Sequence, residues 1–488
     1  MKFRNSAIYI AILTTLLITS CSKNNEEVKI KKVTYKKVKK DPSKRHKKGI
    51  EHMADYYKEI STPIGETKSS YEPGYIYKEF NKAKLKSNNQ AKNSASPNAV
   101  FIERGPFNVP GRTRGIAIDP TNKNRWFVGS VGGGIWLTEN QGSSWVNLTD
   151  GKIPNLSTSV IVISPQDKNT LYVGTGEPFG NLGAIGGSGV FKTTDGGATW
   201  SNLPATANFG DVGRMIIDPT DKNTVLIGTQ TGIYKTTDGG TSWVNTYDSS
   251  GAWVQDLDAD PSDFNIQYGS LRNVGVVKST DGGDTWSLVF DRNVFNGSHS
   301  RFELSISPVD NNYVYLSVYS PSGGKSVNTD FYVSKDKGAT FTSLTPIETG
   351  SASNLLTGQG WYDNIIMAHP FEKNIFYVGG VAVFKVTVDE TNDTFTFTSI
   401  ASGYDSSQIN TGVHVDQHGM DYILGSNAQE FRILLTNDGG VYSTAFETDP
   451  GASQGDWSDD SISKNSTQFY GATKQNGADN YIAGAQDN

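Results

Sequence analysis

Three alternating residues, His414, Asp416 and His418, form the sharpest chemical constellation in the sequence. On a strand, where side chains alternate with a period of two, all three fall on one face. Two imidazoles and a carboxylate suit zinc or another divalent ion, provided one coordination position stays open for water. The same residues serve equally as a hydrogen-bonded polar layer that ties inner strands together. Arg112 and Arg114 near the first repeat, and Asp363 in a later one, fall on comparable strands. Glu177, in Thr175-Gly176-Glu177-Pro178, opens a Gly-rich insertion, Phe179–Ser188, and is either an acid or a cap for its own loop. Glu177, Asp363 and Asp416 are the catalytic candidates, because glycoside hydrolysis needs two carboxylates about 5–10 Å apart. Trp361-Tyr362 offers aromatic faces that suit sugar C–H groups, although such pairs usually serve packing. With Arg112 and Arg114 they make up the candidate ligand-binding set. A divalent metal is the single cofactor these residues raise.

The elements that position these groups recur from Phe101 onward. First strands close on proline: Ile116–Pro120, Val160–Pro165, Met215–Pro219, Leu257–Pro261, Leu304–Pro308 and Ile366–Pro370. Second strands read Arg125–Gly129, Leu171–Gly174, Val225–Gly228, Val314–Val318 and Ile375–Gly379. Each unit then reaches a turn of the form Ser/Thr-x-Asp/Asn-x-Gly-x-Ser/Thr-aromatic, centred on Asn140, Asp195, Asp238, Asp281 and Asp336. In such a turn the carboxyl or amide oxygen ties down backbone N–H groups and the glycine supplies a positive φ. The aromatic packs between hairpins. Successive strand-closing prolines lie 42–62 residues apart, the spacing of four-stranded propeller blades. Further units begin near His414 and Gln468, so an all-β propeller with about eight blade starts is expected. The last of these ends after its second strand, so the propeller over 99–488 is expected to be incomplete at its C-terminus.

Residues 1–20 read as a lipoprotein signal peptide: a charged start, an apolar run over Ala7–Ile18, then Ile18-Thr19-Ser20-Cys21. The one cysteine, Cys21, stands where such a signal places a lipidated residue, which predicts a lipid-anchored protein of the outer membrane, facing the periplasm or the cell surface. Residues 21–50 form a basic tether, and 51–98 a short extension with helices around Glu51–Ile60 and Tyr75–Leu85 and a linker over Ser87–Pro97. Residues 1–48 hold 14 of the 44 Lys and Arg but only 3 of the 50 Asp and Glu. The remainder is therefore strongly acidic, which excludes a nucleic-acid-binding face.

The turns and the Gly-Ile/Val-Tyr/Phe-Lys-Thr-Thr-Asp-Gly-Gly runs resemble the Asp-box (BNR-repeat) superfamily. That superfamily includes sialidases, sortilin-type receptors, xyloglucan-cleaving endoglucanases and photosystem II assembly factors. The chain is most similar to secreted sortilin-like propellers of Bacteroidetes, through Gly105–Arg114, Gly174–Glu177 and His414–His418. The sialidase Phe/Tyr-Arg-Ile-Pro motif has only Phe431-Arg432-Ile433-Leu434 as its counterpart, without the proline and after all five turns. In the endoglucanases the first acid lies in a Thr-Asp-Val-Gly-Gly turn of the first blade, where this chain has Gly129-Ser130-Val131-Gly132-Gly133. Asn437-Asp438-Gly439-Gly440 is an offset match to the second acid, and its simplest reading is a turn aspartate beside two glycines. The resemblance therefore implies a cell-envelope lipoprotein whose propeller binds a glycan or polypeptide. The alternative is a polysaccharide-cleaving glycoside hydrolase related to the xyloglucan-active enzymes.

Overall fold

The computed structural model describes residues 55–56, 58–60, 62–67, 74–93, 110–181, 184–293, 300–320, 329–347, 354–403, 410, 412–474 and 481–485. The signal segment, Cys21 and the basic tether lie outside these residues. Among the described residues the strands are numbered β1 to β30 along the chain, and β1 to β28 form seven four-stranded antiparallel blades, each in simple up-and-down order. Their innermost strands are β1 (Thr113–Ile118), β5 (Thr158–Ser164), β9 (Val212–Asp218), β13 (Val254–Asp260), β17 (Arg301–Ile306), β21 (Ile365–Ala368) and β25 (Gln417–Leu424). Each packs beside the next, and β25 packs beside β1, so seven blades close a ring. The eighth start is present as a separate hairpin, β29 (Phe469–Lys474) with β30 (Tyr481–Ala485), paired from Phe469↔Ala485 to Lys474↔Tyr481. The packing of β25 beside β1 closes the seven blades without it.

Position in the blade dictates composition. The second strand of blade one, β2 (Trp126–Ser130), is buried at every residue, as a strand covered on both faces requires. The outermost strands of blades one and two, β4 (Val146–Asn147) and β8 (Ser201–Asn202), are two residues long and so present little edge to other chains. Apolar side chains of adjacent blades interdigitate, as Ala117 and Phe127 of blade one do with Ile161 and Leu171 of blade two. One junction differs: β20 (Thr342–Pro346) pairs in parallel with β24 (Thr394–Ala401) and fuses blades five and six into one eight-stranded sheet.

The expected turns fold as staples. Asp195 accepts the Thr199 N–H at 2.9 Å and the Thr199 and Thr193 hydroxyls at 2.6 and 2.7 Å, with Gly197 at φ +92°. The following Trp200 reaches back to donate to the Leu148 carbonyl of the preceding blade at 3.1 Å. Trp145 does the same across the closure of the ring, donating to the Asp460 carbonyl at 2.7 Å.

Outside the ring, residues 55–56 and 58–60 are helical, and α1 spans Tyr75–Asn93, running well into the stretch expected to be a linker. Lys82–Lys86 and Gln90–Lys92 are good helix formers, and no proline occurs before Pro97 to stop them. The Tyr77 ring lies 6.3 Å from Phe191 and seats α1 against blade two.

Hydroxyl and backbone donors hold the Asp195, Asp238 and Asp281 carboxyls down to about 2. A carboxyl lowered on folding adds stability above its unfolded value of about 3.9, and that stability is lost as pH falls through the folded value. Thermal melts between about pH 5 and pH 2 are therefore expected to show wild type losing stability more steeply than the Asp195→Asn/Asp238→Asn/Asp281→Asn variant.

Candidate functional site

At one mouth of the ring, inner strands and the loops that feed them bring an unusual number of charges out of water. β1 and the residues before it supply Arg112 and Arg114, β9 supplies Arg214, and β13 supplies Asp256. β17 supplies Arg301 and Glu303, and β25 supplies His418. The segment before β21 brings Tyr362 and Asp363. The turn between β26 (Phe431–Asn437) and β27 (Gly440–Thr444) brings Asp438, and the insertion after β6 (Asp167–Thr175) brings Glu177 and Phe179. Apart from Arg214, these side chains are less than a tenth exposed. Phe179 is the plug: its ring lies 4.2, 5.1 and 5.7 Å from the Arg114, Arg301 and Arg214 guanidinium carbons and edge-on to Tyr362.

Buried charges of this kind persist only when paired. Arg112 forks onto Asp438 at 2.6 and 2.8 Å, and His418 Nε2 lies 2.5 Å from the same carboxylate. Arg214 bridges Asp256 at 3.1 Å and Glu303 at 2.9 Å, while Arg301 meets Glu303 at 2.8 Å. Burial works to raise the Asp438 carboxyl, but His418 and Arg112 overcome it and keep the group ionised. His418 is pushed down to about 3, by burial first and then by the Arg114 charge, so its imidazole is neutral. Asp363 is moved well above the usual carboxylate range by burial and by the Asp416 and Asp438 charges. Its Oδ1 lies 3.5 Å from His418 Nδ1, and neither atom has another partner. A protonated Asp363 facing a neutral His418 that donates through Nε2 to Asp438 leaves each member of this row matched.

Asp363 has a second neighbour. Gln359, exposed at the end of the 3₁₀ turn Thr357–Gln359, donates from Nε2 to Asp363 Oδ2 at 3.0 Å and to Asp416 Oδ1 at 3.2 Å. Two carboxylates served by one nitrogen lie within about 6 Å of each other: Asp363 is buried and held well above the usual carboxylate range, and Asp416 is part-exposed.

The His-x-Asp-x-His expectation is corrected. β25 starts only at Gln417, and Asp416 precedes it at φ +63°, so the alternation on which a shared face depends is broken. His414 turns its Nδ1 to the Val415 carbonyl, Asp416 turns to Gln359 and His418 to Asp438. Among the described residues no group of three His, Cys, Asp or Glu side chains is placed to hold a metal ion. Glu177 takes the loop-capping role, accepting the Ile185 N–H at 3.2 Å and the Asn181 amide at 3.4 Å, with Arg112 and Arg114 at 3.6 and 3.8 Å. Tyr362 belongs to the buried arginine layer, and Trp361 packs half-buried on the core between blades five and six. Neither is an open stacking platform.

Ser130 is fully buried. Its hydroxyl lies 2.6 Å from Ser466 Oγ and 3.1 Å from Lys464 Nζ, under the segment that follows blade seven. Burial pushes the Lys464 ammonium down to about 7. Sequence reasoning set Asp438 aside and missed Gln359. The Gly-Gly pair after Asp438, which repeats the turn of blade one, was the signal for the former.

No family model matches the chain. Among curated proteins it is 26% identical over 180 residues to a probable oligoxyloglucan-reducing end-specific xyloglucanase of Neosartorya fischeri, a match covering 35% of this chain and 21% of that protein. It is 26% identical over 171 residues to a xyloglucanase of Hypocrea jecorina, covering 32% and 20%. The matches thus span about a fifth of the length of these relatives. Among solved structures, an ancestral GH74 enzyme superposes with a TM-score of 0.58 at 18% identity, over 74% of this chain and 48% of its own. The Niastella koreensis GH74 enzyme gives 0.55 at 20% identity, over 78% and 58%. At these identities the likeness is one of fold, and it defines the class: a β-propeller with four-stranded antiparallel blades. Its named neighbours in sequence and in fold are glycoside hydrolases.

Arg112→Met strips Asp438 of its fork while leaving the carboxylate buried. Denaturant unfolding is expected to show a loss of about 3–5 kcal/mol, with Arg112→Lys costing less because the charge remains.

Proposed function

We propose that this chain is a glycan-cleaving β-propeller of the bacterial cell envelope, acting on a xyloglucan-like β-glucan. Asp363 serves as the general acid and Asp416 as its partner carboxylate. The observation that carries this reading is the pair itself: two carboxylates within about 6 Å, of which Asp363 is held well above the usual carboxylate range by burial and by the charge of Asp416. That separation is close to the roughly 5–5.5 Å of enzymes that attack the anomeric carbon with the second carboxylate. Gln359 lies over both groups and is exposed, so its displacement by a sugar would open them. The Asp363 proton would then pass to the leaving oxygen, with His418 and ionised Asp438 behind it. The xyloglucanases among the relatives support the choice of polymer. Lipidation of Cys21, supported by the preceding Ile18-Thr19-Ser20, would hold the propeller at the outer membrane.

A second reading, an envelope protein of sortilin-like character that binds a glycan or polypeptide without cleaving it, is favoured by Ser130. A serine cannot supply the carboxylate that the endoglucanases carry in that turn, and Lys464 and Ser466 bury it.

Reducing-end release from xyloglucan separates the two. The purified chain is expected to release sugar, with Asp416→Asn and Asp363→Asn each lowering the rate by about 10²-fold or more and Asp195→Asn leaving it unchanged. Retained xyloglucan binding without release by the wild type would replace hydrolysis with the binding reading, and the absence of both would reject both. Metabolic labelling with radioactive palmitate is expected to mark the wild-type chain and not Cys21→Ser.

A further inference from the structure

Inside the ring the seven inner strands enclose a cavity of about 380 Å³, lined at one end by Arg114 and Arg214 and further along by Asp258, Ser305, Asp421 and Tyr422. Its volume lies within the range of small-molecule sites. We propose that this channel binds a small zwitterion, a molecule carrying a carboxylate at one end and an ammonium group at the other, with the carboxylate on Arg114 and the ammonium at Asp258 and Asp421. The proposal does not rest on the hydrolase reading.

Arg114 supplies the anion end. Its two neighbours, Arg214 and Arg301, have carboxylates at 2.8–3.1 Å. Arg114, only 4% exposed, has Nε and Nη2 without any acceptor, and the Glu177 oxygen 3.8 Å from it is shared with Arg112. Phe179 and Tyr362 cover the guanidinium at 4.2 and 4.6 Å and can accept no in-plane hydrogen bond. A buried guanidinium left in this state costs free energy that a carboxylate ligand would recover through paired N–H donors.

The far end has the opposite deficit. Asp258 accepts only the backbone N–H groups of Ala259 at 2.8 Å and Ile306 at 3.4 Å, and Asp421 only that of Tyr422 at 2.7 Å. Among the described residues neither has an ion-pair partner. Burial pushes Asp258 up to about 7 and Asp421 to about 6, the response of carboxylates that no cation offsets. Asp258, Asp421 and Tyr422 line the same cavity.

Strand register orders the two ends. Gly419 of β25 lies against the Arg114 carbonyl, and Asp421 is two residues further along the same strand, so the Arg114 and Asp421 backbones stand at successive levels of the channel. Asp258 and Asp421 are partly exposed while Arg114 is buried, so a ligand would enter with its carboxylate leading. The Ile116, Ile366 and Met420 side chains offer it an apolar wall.

Calorimetric titration of the full chain with 6-aminohexanoate tests the proposal, with hexanoate and hexylammonium as probes carrying one charge each. Saturable 1:1 binding of 6-aminohexanoate is expected, at least about tenfold tighter than either control, and weakened about tenfold or more by Arg114→Gln and by Asp258→Asn. Hexanoate binding as tightly as 6-aminohexanoate, an unaltered Kd in a folded Asp258→Asn variant, or no saturable binding up to about 10 mM would each overturn it. Should Arg114→Gln fail to fold, Asp258→Asn and the probe comparison decide alone.

Discussion

Asp438 sits in a turn of the seventh blade and takes both prongs of Arg112, which stands just ahead of the first strand of the first blade. Those residues are 326 positions apart in the chain, and their pairing joins the two ends of the ring at its mouth. Beside it, the Thr436 hydroxyl donates to the Arg114 carbonyl at 3.0 Å, and Trp145 ties the same two blades at their other margin. Breaking a buried pair of this kind leaves a charge with neither water nor partner, which is why one carboxylate has leverage over the whole closure. It also sets the state of its surroundings. Its charge helps to raise the Asp363 carboxyl, and it favours a proton on His418, which burial and the Arg114 charge outweigh.

The mouth as a whole obeys the same constraint. Four arginines are gathered around Phe179 and Tyr362, and three of them are held by Asp438, Asp256 and Glu303. The aromatic faces let guanidinium groups approach one another while excluding water, which strengthens each pairing and raises the cost of any group left over. Arg114 is that group at one end of the channel, and Asp258 and Asp421 are its counterparts at the other.

The ring was legible because its signals are local. A strand that closes on proline and a turn built from Asp195, Gly197 and Thr199 declare themselves within a dozen residues, and repetition adds weight to each. The site was less legible, for two physical reasons. The alternation at His414, Asp416 and His418 assumed a strand, and a left-handed residue at Asp416 is invisible to a pattern of polarity. Asp438 takes its role from Arg112 of another blade, and Gln359 from Asp416, 57 residues away, together with Asp363 in its own segment, so only the Gly-Gly pair after Asp438 marks either of them locally. Glu177 was readable as a loop cap, because a carboxylate at the start of a glycine-rich insertion has many free N–H groups within reach.

The seam between blades five and six alters the mechanics of the ring. Elsewhere neighbouring blades meet through interdigitated side chains and single hydrogen bonds, such as Trp200 to the Leu148 carbonyl and the Gln417 N–H to the Gly380 carbonyl, with no strand of one blade paired to a strand of the next among the described residues. Between β20 and β24 the backbones themselves are bonded, Thr345 N–H to the Asp393 carbonyl at 2.9 Å and Ile347 N–H to the Phe395 carbonyl at 3.0 Å, and Lys335 clamps Asp393 at 2.7 Å. Among the described residues this is the one joint at which two blades share a sheet. A widening of the channel at that seam would have to break main-chain hydrogen bonds, whereas at the joint of blades seven and one it would have to part the Arg112–Asp438 pair.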